Sequence, residues 1–130
     1  MRIARPLLDQ VLAHARRDAP HECAGAIGVR DGVAVSVHEL ENLAHSPYRF
    51  ELGYDLFLAT EEVEAAGGSI GAIYHSHPKT EPVPSQTDVN WSGTWPGIEW
   101  VIVSLVPEPH ARSFVIEDGT VREVELQGEG

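Results

Sequence analysis

His75 and His77 stand two residues apart, and Ser85 and Asp88 follow them at short range; these four are the side chains of the sequence best suited to metal chemistry. They come at the end of an apolar run, Ser69-Ile-Gly-Ala-Ile-Tyr-His75, that reads as a buried strand. In an extended chain, residues i and i+2 project to the same face, so both imidazoles are offered together while Ser76 points away. Pro78, Pro82 and Pro84 exclude regular sheet or helix and dictate a stiff loop, after which Ser85-Gln-Thr-Asp88 has the form of a first helical turn. If the loop folds back, Asp88 becomes a third ligand. Two histidines and one carboxylate, with a fourth position open to water, is the coordination of a catalytic zinc rather than a closed structural one. Such a metal lowers the pKa of its water to about 7, and a nearby carboxylate is needed to take the proton and pass it to a leaving amine. The candidate is Glu22, in Pro20-His21-Glu22-Cys23-Ala24-Gly25, just ahead of an apolar segment.

Each of these residues also has an ordinary reading. Ser85-x-x-Asp88 is equally a capping box, and the two readings coexist because a helix start fixes the direction of the aspartate. Glu22 alone reads as a surface carboxylate, and only the downstream constellation raises it to a catalyst. Cys23 invites a cysteine-dependent hydrolase with His21 or His75 as base, but a lone cysteine opening an apolar strand is more often a buried packing residue. His14, His38, His45 and His110 lack ligand spacing and are expected in solvent. Trp91, Trp95 and Trp100 are core residues first, with Trp91 or Trp95 placed to wall the cleft.

The elements that must hold this constellation are legible from pattern. Leu7, Leu8, Val11, Leu12 and Ala15 form a helical stripe with Asp9, Gln10, Arg16 and Arg17 opposite, and Pro20 prevents continuation. A strand over Cys23 to Val29, an Asp31-Gly32 turn and the alternation of Val33, Val35 and Val37 make a hairpin. After a polar turn, Tyr48 to Leu52 suggests a short strand and Tyr54 to Ala66 a second helix stopped by Gly67-Gly68. The histidine strand comes next, then a helix from Ser85 to about Ser92. Ile98 to Leu105 is a β-branched strand, Ala111 to Glu117 returns, and Asp118-Gly119 turns into Thr120 to Leu126. Such an order predicts an α/β fold, a mixed sheet flanked by helices, in one domain over 1–126 with a loose tail at 127–130.

Composition narrows the partner. The formal charge of −11 opposes a phosphate backbone, so a protein or peptide is expected and nucleic acid is not. No apolar run approaches the roughly 20 residues that span a bilayer, and none follows Met1 as a signal peptide would require, so neither membrane nor export is expected. With a single cysteine the chain forms no internal disulfide, which is consistent with a cytoplasmic location. It also lacks the Pro-Cys-x-x-Cys of zinc nucleobase deaminases.

An upstream glutamate, His75-x-His77, seven intervening residues and Ser85-x-x-Asp88 together resemble the JAMM (MPN-plus) metalloprotease family. The family's glutamate segment runs Glu-x-Cys-Gly, where this chain has Glu22-Cys23-Ala24-Gly25. The resemblance implies a curved mixed sheet with helices on both sides, similar to the cytidine-deaminase layout, with zinc near the sheet edge. It implies that His75, His77 and Asp88 hold Zn2+, that Glu22 is general acid and base, and that Ser85 stabilises the oxyanion. By similarity to compact prokaryotic members, the substrate is expected to be a ubiquitin-like or sulfur-carrier protein, cleaved at an amide or isopeptide bond on its Gly-Gly tail. A homodimer is implied by the same analogy. A metal-free MPN scaffold that only binds protein is the alternative, disfavoured because such proteins lack the ligands this chain retains.

Overall fold

The computed structural model describes residues 1–46 and 51–129, with the backbone alone for residues 87, 91 and 127–129. A short strand, β1 (Arg2–Ala4), runs directly into α1 (Arg5–Asp18), and β2 (Ala24–Arg30) and β3 (Val33–Leu40) form a hairpin. Helix α2 (Tyr54–Ala65) leads to β4 (Ser69–His77), and α3 (Gln86–Ser92) connects β4 to β5 (Glu99–Ser104). Strands β6 (His110–Glu117), β7 (Thr120–Val124) and β8 (Gln127–Glu129) complete a sheet in the order β7-β6-β5-β4-β2-β3-β1-β8 among the described residues. Strand β4 is parallel to β5, and β1 is parallel to both β3 and β8, while the remaining pairs are antiparallel. The sheet is mixed, as expected.

Local chemistry accounts for the connections. Both Asp-Gly pairs turn hairpins: Asp31 and Gly32 have φ of 53° and 76°, and Asp118 and Gly119 have 51° and 77°. Two successive residues with positive φ give the turn whose twist matches that of the flanking strands. Pro6 sits in the first turn of α1, where no N–H is needed, and Arg16 and Arg17 lie in its last turn against the negative end of the helix dipole. Helix α2 ends where the Gly67 and Gly68 amides bond back to the carbonyls of Glu64 and Val63, with Gly67 at φ 87°.

Alternation along the strands divides the interior in two. On one face Ile27, Tyr74, Val101 and Val103 pack under Val11 and Ala15 of α1. On the other, Ala24, Ala26, Ile73 and Trp100 pack against Leu56 and Ala59 of α2 and Val89 of α3. Each buried aliphatic of this kind contributes about 1.5–3 kcal/mol, so the two layers fix the sheet's register and hold α2 and α3 on the side where odd-numbered residues of β4 project.

Two sequence expectations need amendment. Gln127–Glu129, expected in a loose tail, pairs with β1 as β8 and so covers the outer side of a strand that is itself only three residues long. Of the short strand expected at 48–52, Tyr48, Arg49 and Phe50 lie outside the described residues, and Glu51 and Leu52 belong to no strand. No helix among the described residues is long and apolar enough to cross a membrane.

Candidate metal centre

The register between β2 and β4 assembles the site. Ala24 pairs with His75, and one step beyond the last ladder pair the Ser76 amide donates to the Cys23 carbonyl at 3.2 Å. The Cys23 amide donates in turn to Ser76 Oγ at 2.8 Å, so the side chain between the two histidines closes the end of the ladder. Residues opposite each other in an antiparallel pair share a face. Continuing the register one step puts Glu22 opposite His77, on the face that also carries His75 and the small residue Ala24. The β2–β4 register thus directs a glutamate 53 residues upstream of His75 toward the histidines.

The distances agree. Glu22, His75 and His77 each bring a ligand atom to within 4.8 Å of the others, and Glu22 Oε1 is 3.5 Å from His75 Nδ1. Asp88 enters from α3 and sets Oδ1 at 2.7 Å from His75 Nε2. Glu22, His75 and Asp88 are buried, with exposures of 4%, 1% and 0%. The structure therefore brings Glu22, His75, His77 and Asp88 to one place; the mutually close trio contains Glu22, and Asp88 joins it through His75. The site lies at the carboxyl end of β4, among central strands, rather than along an edge strand.

Each side chain is oriented by a second contact. His77 Nδ1 lies 3.0 Å from the Glu81 carbonyl, which can only accept, so Nδ1 carries the hydrogen and Nε2 presents its lone pair. Burial, reinforced by the neighbouring His75, lowers the pKa of His77 and keeps it neutral, the form that binds a metal. The loop bearing Glu81 is pinned to β5 by Ser104 Oγ, which donates to the Thr80 carbonyl at 2.6 Å. Ser85 and Asp88 form the reciprocal cap: the Ser85 amide donates to Asp88 Oδ2 at 2.8 Å, and the Asp88 amide donates to Ser85 Oγ at 3.3 Å. With Oδ2 committed to that cap, Oδ1 is aimed at His75. Burial works to raise the pKa of Asp88, but the charge and hydrogen bond of His75 and the Ser85 amide outweigh it, and the group stays below the usual carboxylate range. Burial works to lower the pKa of His75, and the carboxylates of Asp88 and Glu22 overcome it, raising it to about 9. His75 Nε2 and Asp88 Oδ1 face each other at 2.7 Å, two donors that a shared cation can engage. Glu22, His75 and His77 within reach of one another, with Asp88 against His75, form a donor set of the kind that fits zinc.

Other expectations resolve differently. The Cys23 thiol is buried in the cluster under α1, on the face away from His75 and His77, and burial pushes its pKa up to about 12, so it provides no thiolate near neutral pH. His14, expected in solvent, is buried: its Nδ1 lies 2.6 Å from the Tyr74 hydroxyl and its Nε2 3.2 Å from Asp18 Oδ2, one turn on in α1. Its position on the apolar stripe, one residue before Ala15, was the available signal. Trp95 packs on the α2 layer and lines an apolar cavity of about 320 Å³ with Leu52, Leu56 and Phe57, none of which is a ligand candidate. The side chain of Trp91 lies outside the described residues. Pattern reading also passed over Asn42, which is buried and donates through Nδ2 to the Glu22 carbonyl at 2.8 Å; only its place in a polar turn hinted at a structural role.

Comparison with known proteins places the chain in a family. Residues 4–117 match the family described as prokaryotic homologs of the JAB domain. The chain is 37% identical over 128 residues to a CysO-cysteine peptidase of Mycobacterium bovis, covering 93% of this chain and 86% of that one. It is 36% identical over 110 residues, 78% of each chain, to a desampylase of Haloferax volcanii. Among solved structures, a protein of Desulfitobacterium hafniense superposes with a TM-score of 0.86 at 30% identity, over 99% of this chain and 93% of that one. A JAB1/MPN domain protein of Archaeoglobus fulgidus shares the fold, with a TM-score of 0.70 at 21% identity over the full length of both. The upstream glutamate, the histidine pair and the capped aspartate meet at the end of β4 in a chain that matches this family over most of its length, and the chain belongs to the prokaryotic JAB-domain family as a peptidase of the JAMM type.

Proposed function

We propose that this protein hydrolyses the amide or isopeptide bond between the C-terminal tail of a ubiquitin-like or sulfur-carrier protein and an amine, with His75, His77 and Asp88 holding zinc and Glu22 as general base. The observation that carries the reading is the meeting of Glu22 with both histidines, within 4.8 Å, beside an aspartate 2.7 Å from His75. Zinc bound there would supply Lewis acidity, polarising a carbonyl and making a water molecule acidic near neutral pH.

The chain's own groups divide the remaining work. The Glu22 carboxylate takes the proton from the attacking water and returns it to the departing amine, so one group serves as base and then as acid. Its position opposite His77 suits it to reach both atoms. Asp88 is held by its cap and His77 by the Glu81 carbonyl, so neither must reorganise during the reaction. The Ser85 hydroxyl accepts the Asp88 amide and keeps its own hydrogen to donate to the developing oxyanion. A narrow, Gly-rich tail suits a site this buried, because a chain without side chains can bring its carbonyl to the end of β4. The relatives named as a CysO-cysteine peptidase and a desampylase support the same substrate class. A metal-free protein-binding scaffold would need neither the buried donor set nor the oriented tautomer of His77.

The test combines metal analysis with cleavage. Protein purified without chelators should carry about one zinc per chain, and carrier proteins extended at their tails should lose the extension, read by mass. Glu22→Gln should keep the zinc and lose turnover by about 100-fold or more. Zinc-free protein that acquires none on addition would remove the reading, as would turnover of unrelated short peptides with no carrier cleaved.

A further inference from the structure

We infer that Asn42 is the positioning residue that sets the Glu22 carboxylate for proton transfer; the inference rests on the catalytic reading of Glu22 given above. Glu22 lies between α1 and β2, beyond the ladder that begins at Ala24 and His75, so the sheet does not bond its main chain. A single loop does so instead. The Glu22 amide donates to the Ser46 carbonyl at 2.8 Å, and the Glu22 carbonyl accepts from Asn42 Nδ2 at 2.8 Å.

The same side chain holds the described residues on either side of 47–50. Asn42 Oδ1 accepts the amides of Ala44 and Glu51, both at 3.0 Å. Two N–H groups at one end of the amide and a carbonyl at the other fix its orientation, because the reverse would set donors against donors. The Asn42 carbonyl accepts the His45 amide at 3.1 Å, and the Leu43 amide donates to the Glu51 carbonyl at 2.9 Å, closing the turn around it. Asn42 is 7% exposed, so these bonds are shielded from water that could replace them.

The consequence for Glu22 follows from the space beside it. A cavity of about 260 Å³ is lined by Glu22 and Asn42 together with Asp18, His21, Glu41 and His45. A glutamate whose main chain is released has room to swing into that cavity and away from the histidines. Misplacement of a catalytic group by about 1 Å can cost about 100-fold in rate. Asn42 touches neither substrate nor metal in this account; it acts through Glu22.

The experiment compares wild type, Asn42→Asp and Asn42→Ala, each alone and in a Glu22→Gln background, with a tail-extended carrier protein as substrate and bound zinc measured throughout. Asn42→Asp keeps the size and both acceptor bonds but replaces the donor with an oxygen facing the Glu22 carbonyl; if Asn42→Ala does not fold, Asn42→Asp carries the test. The expected result is a kcat lowered about 10- to 100-fold, a KM changed by less than about twofold, unchanged zinc, and no further loss when Glu22 is already Gln. Unchanged kcat, a loss that adds to that of Glu22→Gln, or a loss that travels with the zinc would overturn it. Hydrogen exchange and the nitrogen shift of the Glu22 amide give a readout independent of turnover: Asn42→Asp should reduce its protection, and unchanged values would overturn the inference. If wild type cleaves no carrier, the proposed function fails, and the Glu22 amide alone then decides the role of Asn42.

Discussion

Ser85 caps a helix, and the proposed mechanism gives it a chemical role through a different atom. Its oxygen accepts the Asp88 amide at the start of α3, and in the proposed mechanism its hydrogen serves the substrate. The two roles predict separable losses. Ser85→Ala should cost about 1 kcal/mol of stability through the lost cap, read by denaturant unfolding of the zinc-free protein. It should also lower kcat by about 100- to 1,000-fold through the lost oxyanion donor. Ser85→Thr, which keeps both atoms, should retain most of each. A kcat that falls only in proportion to stability would leave Ser85 as a cap alone. The capping box and the metal motif use one spacing, which made the residue types legible in sequence, and the cap is formed. What spacing could not supply was which oxygen of Asp88 faces which partner, since that depends on the helix being docked.

At the scale of elements, the sequence was readable wherever the local signal was strong and silent where tertiary contact decided the outcome. The two Asp-Gly hairpins, the three helices and the central histidine strand all follow from turn chemistry and periodicity. Strands β1 and β8 do not, because three-residue strands carry no period and are defined only by their partners. His14 belongs to the second class too. It joins α1 to β4 through the Tyr74 hydroxyl, and the Tyr74 ring lies so close over Gly25, its partner across the β2–β4 pair, that no Cβ fits there. Burial lowers the pKa of His14, with Asp18 and Glu39 opposing but not overcoming it. A histidine whose folded pKa is depressed disfavours the charged form in the fold. Its stabilising contribution is therefore full above the unfolded value of 6.5 and is lost as pH falls below that toward the folded pKa. Acid should loosen the α1–β4 contact. The difference in unfolding free energy between wild type and His14→Gln should shrink as pH is lowered from 7 to 5, measured by urea titration at each pH; a constant difference would show that His14 does not titrate on unfolding.

Across the whole molecule, the candidate metal centre is the point where separate parts of the chain converge. Glu22 comes from the segment before β2, the histidines from β4 and Asp88 from α3, while α1 packs on the opposite face and contributes no ligand. A cation held by His75, His77 and Asp88 would link β4 to α3 across the proline-rich loop, and the unfolded chain, with these groups dispersed, would not bind it comparably. Ligand that binds only the native state stabilises it by about 2.7 kcal/mol when present at 100 times its dissociation constant. Adding zinc to chelator-treated protein should therefore raise the thermal midpoint. The effect should vanish in Asp88→Asn, which removes the ligand charge but keeps the side chain's shape. It should persist in Glu22→Gln, because the general base is not one of the proposed ligands. That contrast separates the two carboxylates, which sit on either side of His75 at 3.5 and 2.7 Å. A zinc-dependent shift lost in Glu22→Gln and kept in Asp88→Asn would reverse their roles, making Glu22 the third ligand beside His75 and His77.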